Sequence, residues 1–122
     1  MADEITMNAY FAVSTTDDKR QIATDRFAQA GVARVANTVA VPNDSDLEIE
    51  LGGVTTIGLA YFKNLAAVAD ATHIINIGPD STGLVPLIRL APQQWCLVFL
   101  GAAPYARAAA GTPKLDYTIF ER

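Results

Sequence analysis

The sequence predicts an all-β fold, a single antiparallel β-sandwich of jelly-roll-like type with about nine or ten short strands over residues 1–122. Three observations predict it. Apolar and polar residues alternate with period two through most of the chain, turn-forming clusters recur at roughly eight- to twelve-residue spacing, and no long apolar stripe of helical period competes. The 51% apolar content against 18% charged describes a chain that forms a core. Immunoglobulin-like and jelly-roll sandwiches share this alternation, so connectivity stays open, and the strand count for the length favours the jelly roll. No repeat, low-complexity tract or linker marks a boundary within the one expected domain.

The first strand is expected over Glu4 to Val13, where Ile5, Met7, Ala9, Phe11 and Val13 share a parity. A polar cluster at 15–19 turns the chain into a returning strand over Arg20 to Gln29. Ile22 and Phe27 have opposite parity there, and a bulge near Asp25 reconciles them. Gly31 ends that strand, and Arg34 to Val41 alternates again with Val35, Val39 and Val41 on one side. After the turn Pro42-Asn43-Asp44-Ser45, Leu47, Ile49 and Leu51 interleave with Asp46, Glu48 and Glu50, the pattern of a strand with one wet face. Ile57 to Lys63 is apolar at both parities and reads as a central strand. The Ala-rich stretch 64–72 reads as a loop with room for one helical turn. Strands over His73 to Ile77 and Leu84 to Leu90 flank the breaker cluster 78–83. Gln94 to Leu100 carries Trp95, Leu97 and Phe99 on one parity and Cys96 and Val98 on the other, so it is expected to be an inner strand with Trp95 buried. Pro104 to Ala108 is either an edge strand, the preferred reading, or a turn of helix. Leu115, Tyr117 and Ile119 define the last strand, up to Glu121.

Composition narrows the functions. Nine Lys and Arg against thirteen Asp and Glu, with net charge −4, lack the clustered cations that bind nucleic acid or an anionic membrane surface. No apolar run reaches bilayer-crossing length and the amino terminus has no basic, apolar leader, so a soluble protein made in the cytoplasm is expected. One Cys and one His exclude an internal disulfide and a His/Cys zinc site. So much apolar content in so small a domain points to surface covered by partner subunits.

No catalytic constellation emerges. His73 leads an apolar strand and reads as a hydrogen-bonded strand-end residue rather than a general base. Cys96, between Trp95 and Leu97, is expected to be buried and inert. Asp80-Ser81-Thr82-Gly83 is off by one from an aspartic-protease Asp-Thr-Gly and reads as a turn. Asn43-Asp44-Ser45-Asp46 places carboxylates at alternate positions but lacks the Gly and distal Glu of a calcium loop. The glycines form no nucleotide-binding motif. Neither an enzymatic activity nor any metal or other cofactor is expected.

Leu51-Gly52-Gly53-Val54-Thr55-Thr56, leading through Tyr61-Phe62-Lys63-Asn64-Leu65 to Asp70-Ala71-Thr72-His73-Ile74-Ile75-Asn76-Ile77-Gly78, resembles small virion structural proteins of tailed bacteriophages. Those carry a Gly-[Asp or Gly]-Val-Thr-Thr segment before a Phe-Lys-Asn-Leu-Asp-Ala-Thr-Asn-type strand and turn. Pro104-Tyr105-Ala106-Arg107-Ala108 and Lys114-Leu115-Asp116-Tyr117-Thr118-Ile119-Phe120-Glu121 are similar to the ending of the same family, and the likeness spans roughly 47–122. Ala66-Ala67-Val68-Ala69 interrupts the pattern, as a lengthened loop would.

The resemblance implies a cofactor-free decoration, minor capsid or tail-associated β-sandwich that binds other virion proteins, major capsid or tail subunits, and forms a homo-oligomer. The virion is its expected location. Tyr10, Phe62 and Phe120 are the expected subunit contacts, as apolar or planar groups outside the inner parity, with the first strand and the 64–72 loop as docking elements. Two other classes compete. A carbohydrate-binding module would stack sugars on Trp95 or the tyrosines, which the expected burial of Trp95 disfavours; a small cupin- or hydrolase-type enzyme needs more histidines or a better acid pair.

Overall fold

The structure, a computed structural model, describes residues 3–13, 18–29, 33–80 and 83–122, with side chains from residue 33 onward. The chain divides into two compact units, Met1–Val32 and Ala33–Arg122. Alternation predicts strands but not which sheet each joins, and so gave no sign of this division within 1–122.

The first unit is an antiparallel hairpin of β1 (Asp3–Val13) and β2 (Asp18–Gln29). Its register passes from Met7 opposite Asp25 to Ala9 opposite Ile22, so β2 holds one residue more than β1 at this point. That is the bulge expected near Asp25. Through it Phe27 and Ile22, of opposite parity in sequence, stand opposite Ile5 and Ala9 of a single β1 parity.

The second unit holds β3 (Arg34–Ala40), β4 (Leu47–Glu48), β5 (Ile57–Asn64), β6 (Ile75–Gly78), β7 (Ile88–Leu90), β8 (Trp95–Phe99), β9 (Tyr105–Ala108) and β10 (Lys114–Glu121). They form two antiparallel four-stranded sheets, ordered β3-β10-β5-β8 and β4-β9-β6-β7. The pairs are nested: β6 with β7, β5 with β8, β4 with β9 and β3 with β10. No helix occurs among the described residues, and 64–72 is a loop of turns.

The core lies between the two sheets. Leu115, Tyr117 and Ile119 of β10 and Ala60 and Phe62 of β5 meet Ile75 and Ile77 of β6, Leu90 of β7 and Ala106 and Ala108 of β9. Tyr117 buries its ring while its hydroxyl donates to the Glu50 carbonyl at 3.1 Å, which satisfies the one polar atom it brings inside. The 47–51 segment keeps its alternation of burial, although only Leu47 and Glu48 join a ladder and Ile49 donates its N–H to Pro104 instead.

Asn64, at the end of β5, is a polar side chain with no exposure. Its Nδ2 donates to the carbonyls of His73 at 2.8 Å and Leu90 at 2.9 Å, and its Oδ1 accepts from Ala66 N–H at 2.9 Å. One amide thereby ties β5 of the first sheet to the chain entering β6 and leaving β7 in the second. Close approach also constrains Gly78, where a Cβ would overlap the Val85 carbonyl oxygen.

Three expectations need correction. Phe62, expected on an exposed face, has no exposure, because its parity on β5 is that of Ala60 and Asn64 and faces the second sheet. Gln94 to Leu100, expected inside, supplies an edge strand, β8, bonded to β5 on one side. Pro104 to Ala108, expected at an edge, supplies β9 between β4 and β6. In each case long-range pairing decides, and local pattern does not carry it.

Candidate functional site

Because β8 is an edge strand and its Cys96 and Val98 face inward opposite Phe62 and Ala60, the other parity is turned out. Trp95 is 60% exposed, Leu97 44% and Phe99 57%, which corrects the expected burial of Trp95. The Tyr61 ring on neighbouring β5 stands 6.5 Å from the Trp95 ring at a tilt of 35°. Burial first, then the charge of Asp116, pushes the Tyr61 hydroxyl pKa up. A single exposed apolar side chain is ordinary, but three in a row on one strand form a patch of the kind that marks a contact surface.

Along the same edge a groove of about 500 Å³ runs between β7 and β8. Ile88, Leu90 and Cys96 give it apolar lining, and Arg89, Gln93, Gln94 and Trp95 line it with polar and aromatic groups. The turn joining the two strands is built with care. Gln93 has φ 67°, the one non-glycine with positive φ among the described residues. Its N–H donates to Asn64 O at 2.9 Å, and its Nε2 donates to the carbonyls of Leu65 at 3.3 Å and Ala66 at 2.9 Å. Gln94 Oε1 accepts from Ala91 N–H at 2.9 Å. Each amide is pinned by one end, and Gln93 Oε1, Gln94 Nε2 and the Arg89 guanidinium have no protein partner among the described residues. Burial pushes the Cys96 thiol pKa up, with a backbone hydrogen bond from Phe62 opposing it, so the thiolate is disfavoured.

The three expected contact residues fall in different settings within their own units. Tyr10 lies opposite Gln21 in the hairpin, and its side chain is outside the described residues. Phe62 is core, whereas Phe120 is half-buried on the opposite parity of β10. In the 64–72 loop Val68 and Leu65 are exposed.

The polar clusters singled out in the sequence bond to nearby backbone and to one another. Asp80 Oδ1 accepts from Gly83 N–H at 3.0 Å, and Ser81 and Thr82 lie outside the described residues. Partial desolvation, then a hydrogen bond to Asp46 and its charge, raise the Asp80 pKa. Asp46 Oδ2 accepts from Leu84 N–H, while Oδ1 lies 3.6 Å from Arg107 Nη1. Asn43 donates to Gly111 O and accepts from Arg107 Nε through its carbonyl. His73, half-buried, lies with Nδ1 3.9 Å from Asp70, and its ring stands where a Cβ on Gly111 would be. Among the described residues no group of three or more His, Cys, Asp or Glu is placed to hold a metal ion.

Arg89, Gln93 and Gln94 were not singled out by sequence reasoning. The only local signal is a Gln pair between Pro92 and Trp95, and neither the positive φ nor the pinned amides can be read from it. No family model, no curated protein and no solved structure matches the chain.

Proposed function

We propose that the chain is a non-enzymatic structural subunit of a bacteriophage particle, a capsid decoration or minor capsid protein that binds neighbouring virion subunits and its own copies. The observation that carries this reading is the row Trp95, Leu97 and Phe99, apolar side chains exposed on the last strand of their sheet. Such an edge is where a neighbouring chain docks, through side chains or by adding a strand. The likeness of 47–122 to small virion proteins supports it, as does a jelly-roll reading of the second unit, whose eight strands pair first with last and inward to β6 with β7. The test is mass spectrometry and immunogold labelling of particles produced by the genome that encodes the chain. Label over the capsid shell is the expected result; label on the tail moves the subunit there, and absence from purified particles refutes a virion role.

A second reading, a carbohydrate-binding β-sandwich module, is favoured by one observation: the 60% exposure of Trp95 removes the burial that argued against a stacking platform. Retained binding to glycans on an array is its test.

A further inference from the structure

We infer that the groove between β7 and β8 is a saccharide site, with Trp95 as the stacking surface and Gln93, Gln94 and Arg89 as the groups that bond sugar hydroxyls. This deepens the carbohydrate-binding reading and rests on it, and it competes with docking of a neighbouring subunit for the same Trp95 edge. A pyranose ring offers an apolar C–H face and a rim of hydroxyls, each both donor and acceptor. A site for it needs a planar apolar surface beside fixed donors and acceptors.

The groove has both. Trp95 supplies an exposed ring, with the Tyr61 ring tilted beside it. Gln93 Oε1 is an acceptor, while Gln94 Nε2 and the Arg89 guanidinium are donors, and none has a protein partner among the described residues. The amides are held before any ligand arrives. Gln94 is fixed by Ala91 and Gln93 by two carbonyls of the 64–66 loop, so little side-chain freedom is lost on binding. Gln93 sits in a backbone conformation that glycine adopts without strain, and the three hydrogen bonds it donates keep it there. The groove is shallow and open, so it would hold one face of a sugar rather than enclose it. A wholly apolar partner on this groove would leave the two amides and the guanidinium desolvated and unpaired, which disfavours it against a hydroxyl-rich ligand.

Trp95 is the only tryptophan in the chain, so its emission reports on the site without a label. The experiment screens the full chain on an array of neutral hexoses, N-acetylhexosamines, uronic acids and sialylated oligosaccharides, then titrates the best binders against Trp95 emission. Saturable change is expected. Arg89→Ala and Gln94→Leu should each weaken binding about tenfold, as loss of one hydrogen bond does. Trp95→Ala should abolish measurable binding and Trp95→Phe should restore most of it, the Phe variant being followed by calorimetry. Unchanged thermal unfolding of each variant separates a lost site from a lost fold. If the wild-type chain binds a glycan but Arg89→Ala and Gln94→Leu bind equally well, the groove is wrong while the carbohydrate reading stands. If no glycan binds at millimolar concentration, both fail; emission that changes with protein concentration alone, alongside a rise in molar mass, assigns the edge to a second copy and also overturns the proposal.

Discussion

Removing the Asn64 amide should show how much of the sandwich depends on one polar link. The side chain makes three hydrogen bonds at a site with no exposure, two as donor and one as acceptor. At about 1 kcal/mol net for each bond, Asn64→Ala should cost about 3 kcal/mol, a large share of the roughly 5–15 kcal/mol that holds a domain folded. Asn64→Asp keeps the shape and the acceptor but turns an oxygen toward the His73 and Leu90 carbonyls and places a charge where water does not reach. Burial and those carbonyls favour the protonated acid, so its folded pKa lies above the unfolded value of about 3.9. The sign follows: the Asp variant is at its best relative to wild type below about pH 4 and loses stability as pH rises through the interval up to the folded pKa. Urea unfolding monitored by circular dichroism between pH 4 and 7 measures both effects. A loss below about 1 kcal/mol for Asn64→Ala, or a loss for Asn64→Asp that does not vary with pH, would refute this account of the link.

Four further outcomes are expected. Phe62→Ala should cost about 4 kcal/mol, as truncation of a buried aromatic does, and Trp95→Ala under about 1 kcal/mol; equal losses in denaturant titrations would contradict the assigned faces. Gly78→Ala should lose about 3 kcal/mol because the new methyl must push the Val85 carbonyl away, and an unchanged midpoint would show that the strand yields freely. Glu121 is held ionised first by the Thr55 hydroxyl, then by the N–H groups of Thr55 and Ala33, so its folded pKa lies below the usual value. Its contribution is present above the unfolded pKa and lost as pH falls through the folded one, so Glu121→Gln should make the acid limb of the stability profile shallower. Under the proposed virion role, Leu97→Lys, which places a charge in the middle of the exposed row, should leave the fold intact and abolish incorporation into particles, read by gel analysis of purified virions.

Local pattern carries much of this architecture and little of the site. Leu115, Tyr117 and Ile119 announce a strand with one buried face, and the parity clash between Ile22 and Phe27 announces a bulge, because both depend on neighbours in sequence. Trp95 and Phe62 defeat the same reasoning. Each lies in a strand apolar at both parities, so alternation cannot say which face turns inward, and that is settled by which parity meets the second sheet. The groove is less legible still. Gln93 owes its fixed position to a left-handed backbone and to carbonyls of residues 65 and 66, far away in sequence.

The nested pairing also sets an order of assembly. Within the second unit only β6 and β7 pair across a short connection; each outer pair closes a longer loop, and β3 must wait for β10, some seventy residues later. β10 is not an ornament at the rim, since it lies between β3 and β5 and brings Leu115, Tyr117 and Ile119 to the core. Until residues 114–121 leave the ribosome, β5 lacks one of its two neighbours and β3 has none, and their apolar faces wait uncovered. A chain of this design pairs its outer strands slowly, at a rate set by its topology, and is most prone to aggregate while β3 and β5 still wait for β10.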